Sequence, residues 1–248
     1  VRVDNLRRMF SRCFAVWIAV VAAVAKVNAA EELKPAGAAT TGFAEAETAI
    51  KGFDIPKGFK CELVAADPLL ANPVCFSIDQ QGRFYVTETY RFEAGVPDIR
   101  GRMHWLDTEL ASKSVAERIA YTRRLEPNNE AWWTNHADRV RLLWDKDGDG
   151  RCDVASVFAG GFNGPAEGVA AGVLPHHGDV YFANIPNLWL LRDTNNDQRA
   201  DTRKILSTGY GVRYGFLGHD LHGLIIGPDG RLYFSIGDRG AHIALPNG

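Results

Sequence analysis

A strand-and-turn phrase returns at a regular interval along this chain, and no other feature restricts its possible folds as tightly. Residues 79–86 read Asp-Gln-Gln-Gly-Arg-Phe-Tyr-Val, residues 178–182 read Gly-Asp-Val-Tyr-Phe, and residues 229–234 read Asp-Gly-Arg-Leu-Tyr-Phe. Each is a tight turn feeding a strand. Gly82, Gly178 and Gly230 are separated by 96 and 52 residues, which reads as two units and then one unit of about 48. A second phrase gives the same period: Asp145-Lys-Asp-Gly-Asp-Gly-Arg-Cys-Asp153 is matched 48 residues later by Asp193-Thr-Asn-Asn-Asp-Gln-Arg-Ala-Asp201. Short strand-like runs flank both copies, Val140–Trp144 with Val154–Phe158, and Leu188–Arg192 with Thr202–Leu206.

Units of this size, all strand and turn, cannot bury both faces of one sheet alone, so neighbouring units must cover them. The expected fold class is therefore all-β, a β-propeller over residues 53–248. The alternative, a β-sandwich, has turns at similar spacing but no 48-residue register. Thr108–Trp133 breaks the pattern: Ser114-Val-Ala-Glu117 is a capping box opening a helical run to about Leu125, expected as an insertion between blades at about 108–133. The 196 residues from Phe53 onward then supply three to four units, an incomplete N-terminal portion of a ring, and the loop-like Leu245-Pro-Asn-Gly248 fits a truncated product.

The N-terminal residues do not belong to that pattern. Arg7, Arg8 and Arg12 precede an uncharged run from Phe14 to Ala25, and Val27 and Ala29 place small residues where a signal peptidase reads them. Cleavage after Ala29 is expected, with 30–52 as a linker and Met9 as an alternative start. The run is shorter than the roughly 18–20 residues of a spanning helix, so export to the periplasm or cell surface is the reading, with membrane association if the signal is retained. Residues 1–29 carry five basic and one acidic side chain, so the remainder is near −6 against −2 for the whole chain. An acidic chain without a basic, aromatic-interleaved stripe is a poor nucleic-acid partner. Cys61, Cys75 and Cys152 form no CxxC or CxxCH, which excludes a zinc ribbon and attached haem. Cys61 and Cys75 lie in two apolar strand-like runs, Lys60–Ala65 and Val74–Ile78, and are either a disulfide or two buried thiols.

Asp145, Asp147, Asp149 and Asp153 form a DxDxDGxxD loop whose alternating carboxylates converge on one centre, with Gly150 allowing the sharp turn; the expected ligand is Ca2+. Ser156 at the twelfth position and flanking strands rule out an EF-hand. In the second loop, Asp193, Asn195, Asp197 and Asp201 occupy the same places, but Asn195 and Gln198 replace an aspartate and the glycine, so a compromised geometry is expected. A solvated acidic turn is the competing reading for both.

The segment Gly218-His-Asp-Leu-His-Gly-Leu-Ile-Ile-Gly-Pro-Asp-Gly-Arg-Leu-Tyr-Phe-Ser-Ile-Gly-Asp-Arg-Gly240 resembles the soluble quinoprotein glucose and sorbosone dehydrogenases. The chain is more similar still to the membrane-bound dehydrogenase propellers of planctomycetes, through Gly58-Phe-Lys-Cys-Glu-Leu-Val-Ala65, the acidic loop and His-Asp-Leu-His-Gly, over about residues 53–243. The resemblance implies a six-bladed propeller using pyrroloquinoline quinone with calcium, a sugar or alcohol substrate, and a cytochrome c as electron acceptor. It also implies that His219 is the catalytic base and Asp238 its orienting carboxylate, whereas His222 matches no such role. Imidazole suits such a task because it titrates near neutrality. The later blades that supply further quinone contacts in those enzymes are not encoded in these residues. Glu88, Arg239 and His242 either line the same channel or are ordinary polar turn residues. A calcium-stabilised propeller that binds carbohydrate or protein without catalysis is the alternative function, and a structural calcium protein a third.

Overall fold

The computed structural model describes residues 41–243, so the expected signal at 1–29 and the first part of the 30–52 linker lie outside the described residues. The rest of that linker carries helix α1 (Thr41–Ile50). Everything after it is organised by antiparallel sheets. Strands β1 (Pro73–Ile78), β2 (Phe84–Glu88), β3 (Asp138–Trp144) and β4 (Val154–Phe162) pair in chain order, and β5 (Gly172–His176), β6 (Asp179–Asn184), β7 (Asn187–Arg192) and β8 (Thr202–Thr208) do the same. A third sheet has two described strands, β9 (His222–Ile226) and β10 (Leu232–Ser235). The flanking strands expected around both acidic loops are β3, β4, β7 and β8, while Lys60–Ala65 is not a strand.

Period-2 alternation gives each strand two faces, and in the second sheet both are apolar. Val173, Val180, Phe182 and Leu191 pack with Tyr85, Val140, Leu142, Phe158 and Phe162 of the first sheet in one cluster. On the other side Ala183, Ile185 and Leu188 pack with Tyr210 and Leu221, and against Leu224 and Leu232 of the third sheet. The rings interdigitate, Phe162 with Phe182 at 4.6 Å and Tyr85 edge-on to Phe158 at 5.1 Å. Each large apolar side chain so buried stabilises the fold by about 1.5–3 kcal/mol. The sheets thus stack in chain order, with first strand beside first strand: β1 against β5 and β5 against β9.

This topology corrects the count of units. Gly82, Gly178 and Gly230 lie in the equivalent β1–β2, β5–β6 and β9–β10 turns of consecutive sheets. The 96-residue interval is therefore one unit enlarged by an insertion, and the described residues hold two complete four-stranded sheets and two strands of a third. The insertion sits inside the first sheet, between β2 and β3, not between two sheets; the corresponding β6–β7 link is only Ile185-Pro186. It is helical from Ile99 to Thr134: a 3₁₀ segment Ile99–Trp105, then α2 (Leu106–Ala111), α3 (Val115–Leu125) and α4 (Glu130–Thr134). The capping box forms at the start of α3, where the Glu117 amide donates to Ser114 Oγ at 3.2 Å, although the Glu117 carboxylate accepts from Lys113 N rather than Ser114 N. The insertion has its own aromatic core of Trp105, Tyr121 and Trp133, joined by Tyr214 from the loop after β8. Arg102 lies 5.0–5.9 Å from the Trp132, Trp105 and Trp133 rings, a cation–π arrangement.

Glu88 ends β2 where the insertion leaves the sheet. Its carboxylate is fully buried and accepts from Arg141 Nε and Nη2 at 3.1 and 3.2 Å, from Arg139 Nε, and from the Ala71 amide at 2.8 Å. Glu88 is thus a structural ion-pair centre rather than an ordinary turn residue. The thiols of Cys61, Cys75 and Cys152 are all free, so the Cys61–Cys75 disulfide is not formed; Cys61 is exposed and Cys75 partly buried against Thr87 Oγ1. No helix among the described residues is long and apolar enough to cross a membrane.

Replacing Glu88 with alanine leaves two guanidinium groups without their carboxylate and is expected to cost roughly 3–5 kcal/mol. The urea midpoint should fall with the m-value unchanged; a loss below about 1 kcal/mol would show that both arginines reach solvent in the variant.

Candidate functional site

The loop between β8 and β9 and the turn after β10 carry two crossed charge pairs from neighbouring residues. His219 Nδ1 lies 3.0 Å from Asp238 Oδ1, with the side chains 50% and 43% exposed, so this pair is open to a ligand. One residue further on each segment, Asp220 and Arg239 meet at 3.2 Å with no exposure at all. Burial pushes the Asp220 carboxyl up, opposed by the Arg239 charge. The inner pair anchors the backbone whose next residues form the outer one. Arg239 is therefore a buried charge partner within this turn rather than an exposed polar residue. His242 is also accounted for, its Nδ1 2.9 Å from the Lys113 carbonyl on the insertion.

Two glycines permit the close approach. Gly215 has φ +57°, and a Cβ there would stand 2.6 Å from Asp238 Oδ1; a Cβ at Gly237 would stand 2.7 Å from His219 Cβ. Since a carboxylate only accepts, His219 Nδ1 donates to Asp238 and the Nε2 lone pair is left for a ligand. The Phe216 and His219 rings meet edge to face with centroids 5.5 Å apart, and the Arg100 guanidinium lies over the Phe216 ring, 5.2 Å from its centroid. Arg100 also chelates Asp98 through Nε at 2.9 Å and Nη2 at 2.7 Å, which holds the Asp98 carboxyl well below the usual carboxylate range.

His222 plays a different part. Its Nδ1 donates to the Asp220 carbonyl at 2.6 Å, and its ring borders a cleft of about 350 Å³ between the first strands β1, β5 and β9. Cys75, Phe76, Val173 and Leu224 line the same cleft together with Gly218, the residue before His219; His219 itself is not among its lining residues.

The acidic loops join β3 to β4 and β7 to β8. In the first, Asp145, Asp147 and Asp149 bring ligand oxygens within 4.8 Å of one another. Asp153 is not in that group; its Oδ1 accepts from the Lys146 amide at 3.0 Å. The Gly150 and Gly148 amides hold the Asp145 carboxyl below its ordinary range. Cys152 is buried in the loop, and burial together with the Asp145 and Asp153 charges pushes its thiol up to about 11. The second loop reproduces the backbone of the first bond for bond. Asn196 N and Gln198 N donate to Asp193 at 2.7 and 2.9 Å, as Gly148 N and Gly150 N donate to Asp145 at 2.6 and 2.8 Å. Thr194 N meets Asp201 as Lys146 N meets Asp153. The positive φ values of Gly148 and Gly150 recur at Asn196 (+63°) and Gln198 (+70°), so the loss of glycine strains the turn without changing its path. The side chains differ: Asn195 Nδ2 sits 3.3 and 3.1 Å from Asp197 Oδ2 and Asp201 Oδ1, placing an amide donor among the carboxylates.

Three carboxylates converge on the His219 loop, and two of them, Asp98 and Glu109, were not singled out by the sequence reading. Gly215 N donates to Glu109 Oε1 at 2.7 Å, Phe216 N to Asp238 at 3.3 Å, and Leu217 N to Asp98 Oδ2 at 3.1 Å. Asp98 and Glu109 come from the insertion, more than a hundred residues away in sequence, and carry no local motif that would have revealed them.

Fold and site together define a predominantly antiparallel β-protein of stacked, repeated sheets with an exposed His–Asp pair and acidic inter-strand loops. The chain belongs to the family described as Domain of unknown function (DUF7133), whose model matches residues 45–248. No curated protein and no solved structure matches it.

The Asp98 carboxyl titrates low in the folded state, so its contribution to stability is complete above the unfolded value of about 4 and is lost as pH falls through the folded value. The urea midpoint measured from pH 6 to pH 3 should therefore fall less steeply in Asp98→Asn than in the parent chain. Parallel slopes would show that Asp98 is as free to protonate folded as unfolded.

Proposed function

We propose that this chain belongs to an exported β-propeller dehydrogenase of the quinoprotein type, acting on a sugar or alcohol. The observation that carries the reading is the open His219–Asp238 pair, with Nδ1 turned to the carboxylate and Nε2 left for a ligand. Three features support the ring: one sheet per repeat, first strands side by side, and a recurring staple between units. The staple is the Ala200 amide donating to the Phe158 carbonyl of the preceding sheet at 2.8 Å, repeated by Cys152 N donating to Val64 O at 2.8 Å. Residue 152 precedes 200 by 48, so the segment at Val64 stands to the first sheet as outer strand β4 stands to the second. This is the arrangement expected if residues near Val64 edge a further blade of a ring that is six-bladed in the relatives it resembles.

His219 Nε2 accepts the proton of the substrate hydroxyl as hydride leaves the same carbon, and the resulting imidazolium is stabilised by Asp238. Pyrroloquinoline quinone, when bound, supplies the two-electron acceptor for that hydride. The flat Phe216 face, the Arg100 guanidinium and the His219 edge have the chemistry to hold a planar, anionic quinone. Asp145, Asp147 and Asp149 have the hard oxygen donors that Ca2+ takes, with Asp153 holding the turn. Asp193, Asp197 and Asp201 are the weaker counterpart, because Asn195 already supplies hydrogens there.

A second reading, a calcium-stabilised propeller that binds without catalysis, is favoured by the acidic loops themselves, since both lie at the staples between units and neither touches His219. Calorimetric titration of the quinone with calcium present separates the two. Saturable binding that weakens at least tenfold in His219→Gln is expected from the dehydrogenase reading, and no binding by the protein extended through any further blades would leave only the second. Calcium should raise the melting temperature of the parent chain, and Asp147→Asn should abolish most of that rise while Asn195→Ala leaves it in place.

A further inference from the structure

Three successive backbone amides in front of the His219–Asp238 pair each donate to a different carboxylate. Gly215 N goes to Glu109, Phe216 N to Asp238 and Leu217 N to Asp98. The Ile99 amide returns a fourth bond to the Gly215 carbonyl at 3.1 Å, and His219 N then donates to Phe216 O at 3.2 Å, so residues 215–219 are held from both sides. Asp98 and Glu109 are 5% and 2% exposed, so neither is a surface charge free to wander. Each has a further partner that fixes its carboxylate plane, the chelating Arg100 for Asp98 and the Tyr121 hydroxyl at 2.9 Å for Glu109. Hydrogen bonds from amides to carboxylates are directional; the Gly215 bond is short at 2.7 Å and those of Phe216 and Leu217 are longer at 3.3 and 3.1 Å. Three such bonds in a row restrict how far the loop can rotate the imidazole away from Asp238.

We propose that Asp98 and Glu109, carried by the helical insertion of the first sheet, are positioning residues that set the orientation of His219 in front of the third. The inference rests on the reading of His219 as a base but concerns residues which that reading leaves unused. Neither carboxylate touches the ligand space; both act through the backbone of residues 215–217. The insertion is then a working part of the site rather than a surface decoration. Arg100 and Phe216, placed by the same contacts, form the wall that the substrate meets beside the imidazole.

The test uses the full chain with 15N-labelled histidine, comparing the parent with Asp98→Asn, Glu109→Gln and the milder Tyr121→Phe, which loosens Glu109 without removing it. In each variant that retains the parent's circular dichroism, amide exchange at Leu217 or Gly215 should rise by about tenfold or more as its charge-assisted bond is lost. The His219 ring nitrogens should move from a single tautomer toward the mixed signal of a free imidazole, while those of His222 and His242 stay put. Where the quinone binds the parent, its affinity should fall in the same order as the His219 signal changes. Faster amide exchange with an unmoved His219 spectrum would overturn the proposal, showing that the carboxylates merely stabilise the loop. Unchanged exchange at both amides in all three variants would overturn it as well. Failure of the protein extended through any further blades to bind quinone sinks the dehydrogenase reading alone, because the ring-nitrogen spectra still decide whether the insertion orients His219.

Discussion

A sheet that is apolar on both faces must be covered on both, and that constraint governs everything else in this protein. The second sheet cannot hide Phe182 and Leu191 on one side and Ile185 and Leu188 on the other without a neighbour on each. Stacking in chain order is the short-loop solution, and it brings the first strands together along one side. The cleft beside His222 lies where those three strands approach one another, with Ala171, Gly172 and Gly223 among larger neighbours such as Phe76 and Leu224.

Polar contacts then tie together parts that stacking alone leaves independent. Arg91, fully buried at the root of the insertion, donates to the carbonyls of Trp133, His136, Gly164 and Glu167, fastening the insertion to the loop that leads into the second sheet. Asp138, at the start of β3, accepts from Tyr90 N and Ala170 N at 2.7 and 2.8 Å, joining the start of the insertion to the same loop through one carboxylate. Ser112 Oγ donates to Val212 O at 2.8 Å, and Tyr214 enters the aromatic cluster of the insertion. An element rooted in the first sheet thus ends against the loop that introduces the third.

The sequence made the period, the turns and the capping box legible because each is a local signal with a fixed offset. The acidic loops were legible for the same reason, down to the flanking strands. What misled was distance: Gly82 to Gly178 divides evenly into two units, and the helical run looked like a spacer, because nothing local says that β2 and β3 are partners across the inserted residues 89–137. The effect of Asn195 and Gln198 was legible only as a loss of glycine and charge. The backbone bonds that preserve the turn come from Asp193, which is unchanged between the two copies. The crossed pairs of His219 with Asp238 and Asp220 with Arg239 were half visible, as adjacent His-Asp and Asp-Arg dipeptides whose outer members were matched and whose inner members were not. Asp98 and Glu109 gave no sign, since a carboxylate that accepts a distant amide looks in sequence like any other surface acid.

The clasp between the insertion and the His219 loop means that the loop is held by residues of two different sheets. Asp98 and Glu109 belong to the insertion of the first sheet, and Asp238 follows β10 of the third. Phe162 and Phe182, buried between the first two sheets, are remote in sequence from His219, yet the packing they complete is part of the path that joins the two sets of carboxylates. The geometry at the imidazole is thus inherited from the assembly of successive repeats rather than from any one of them.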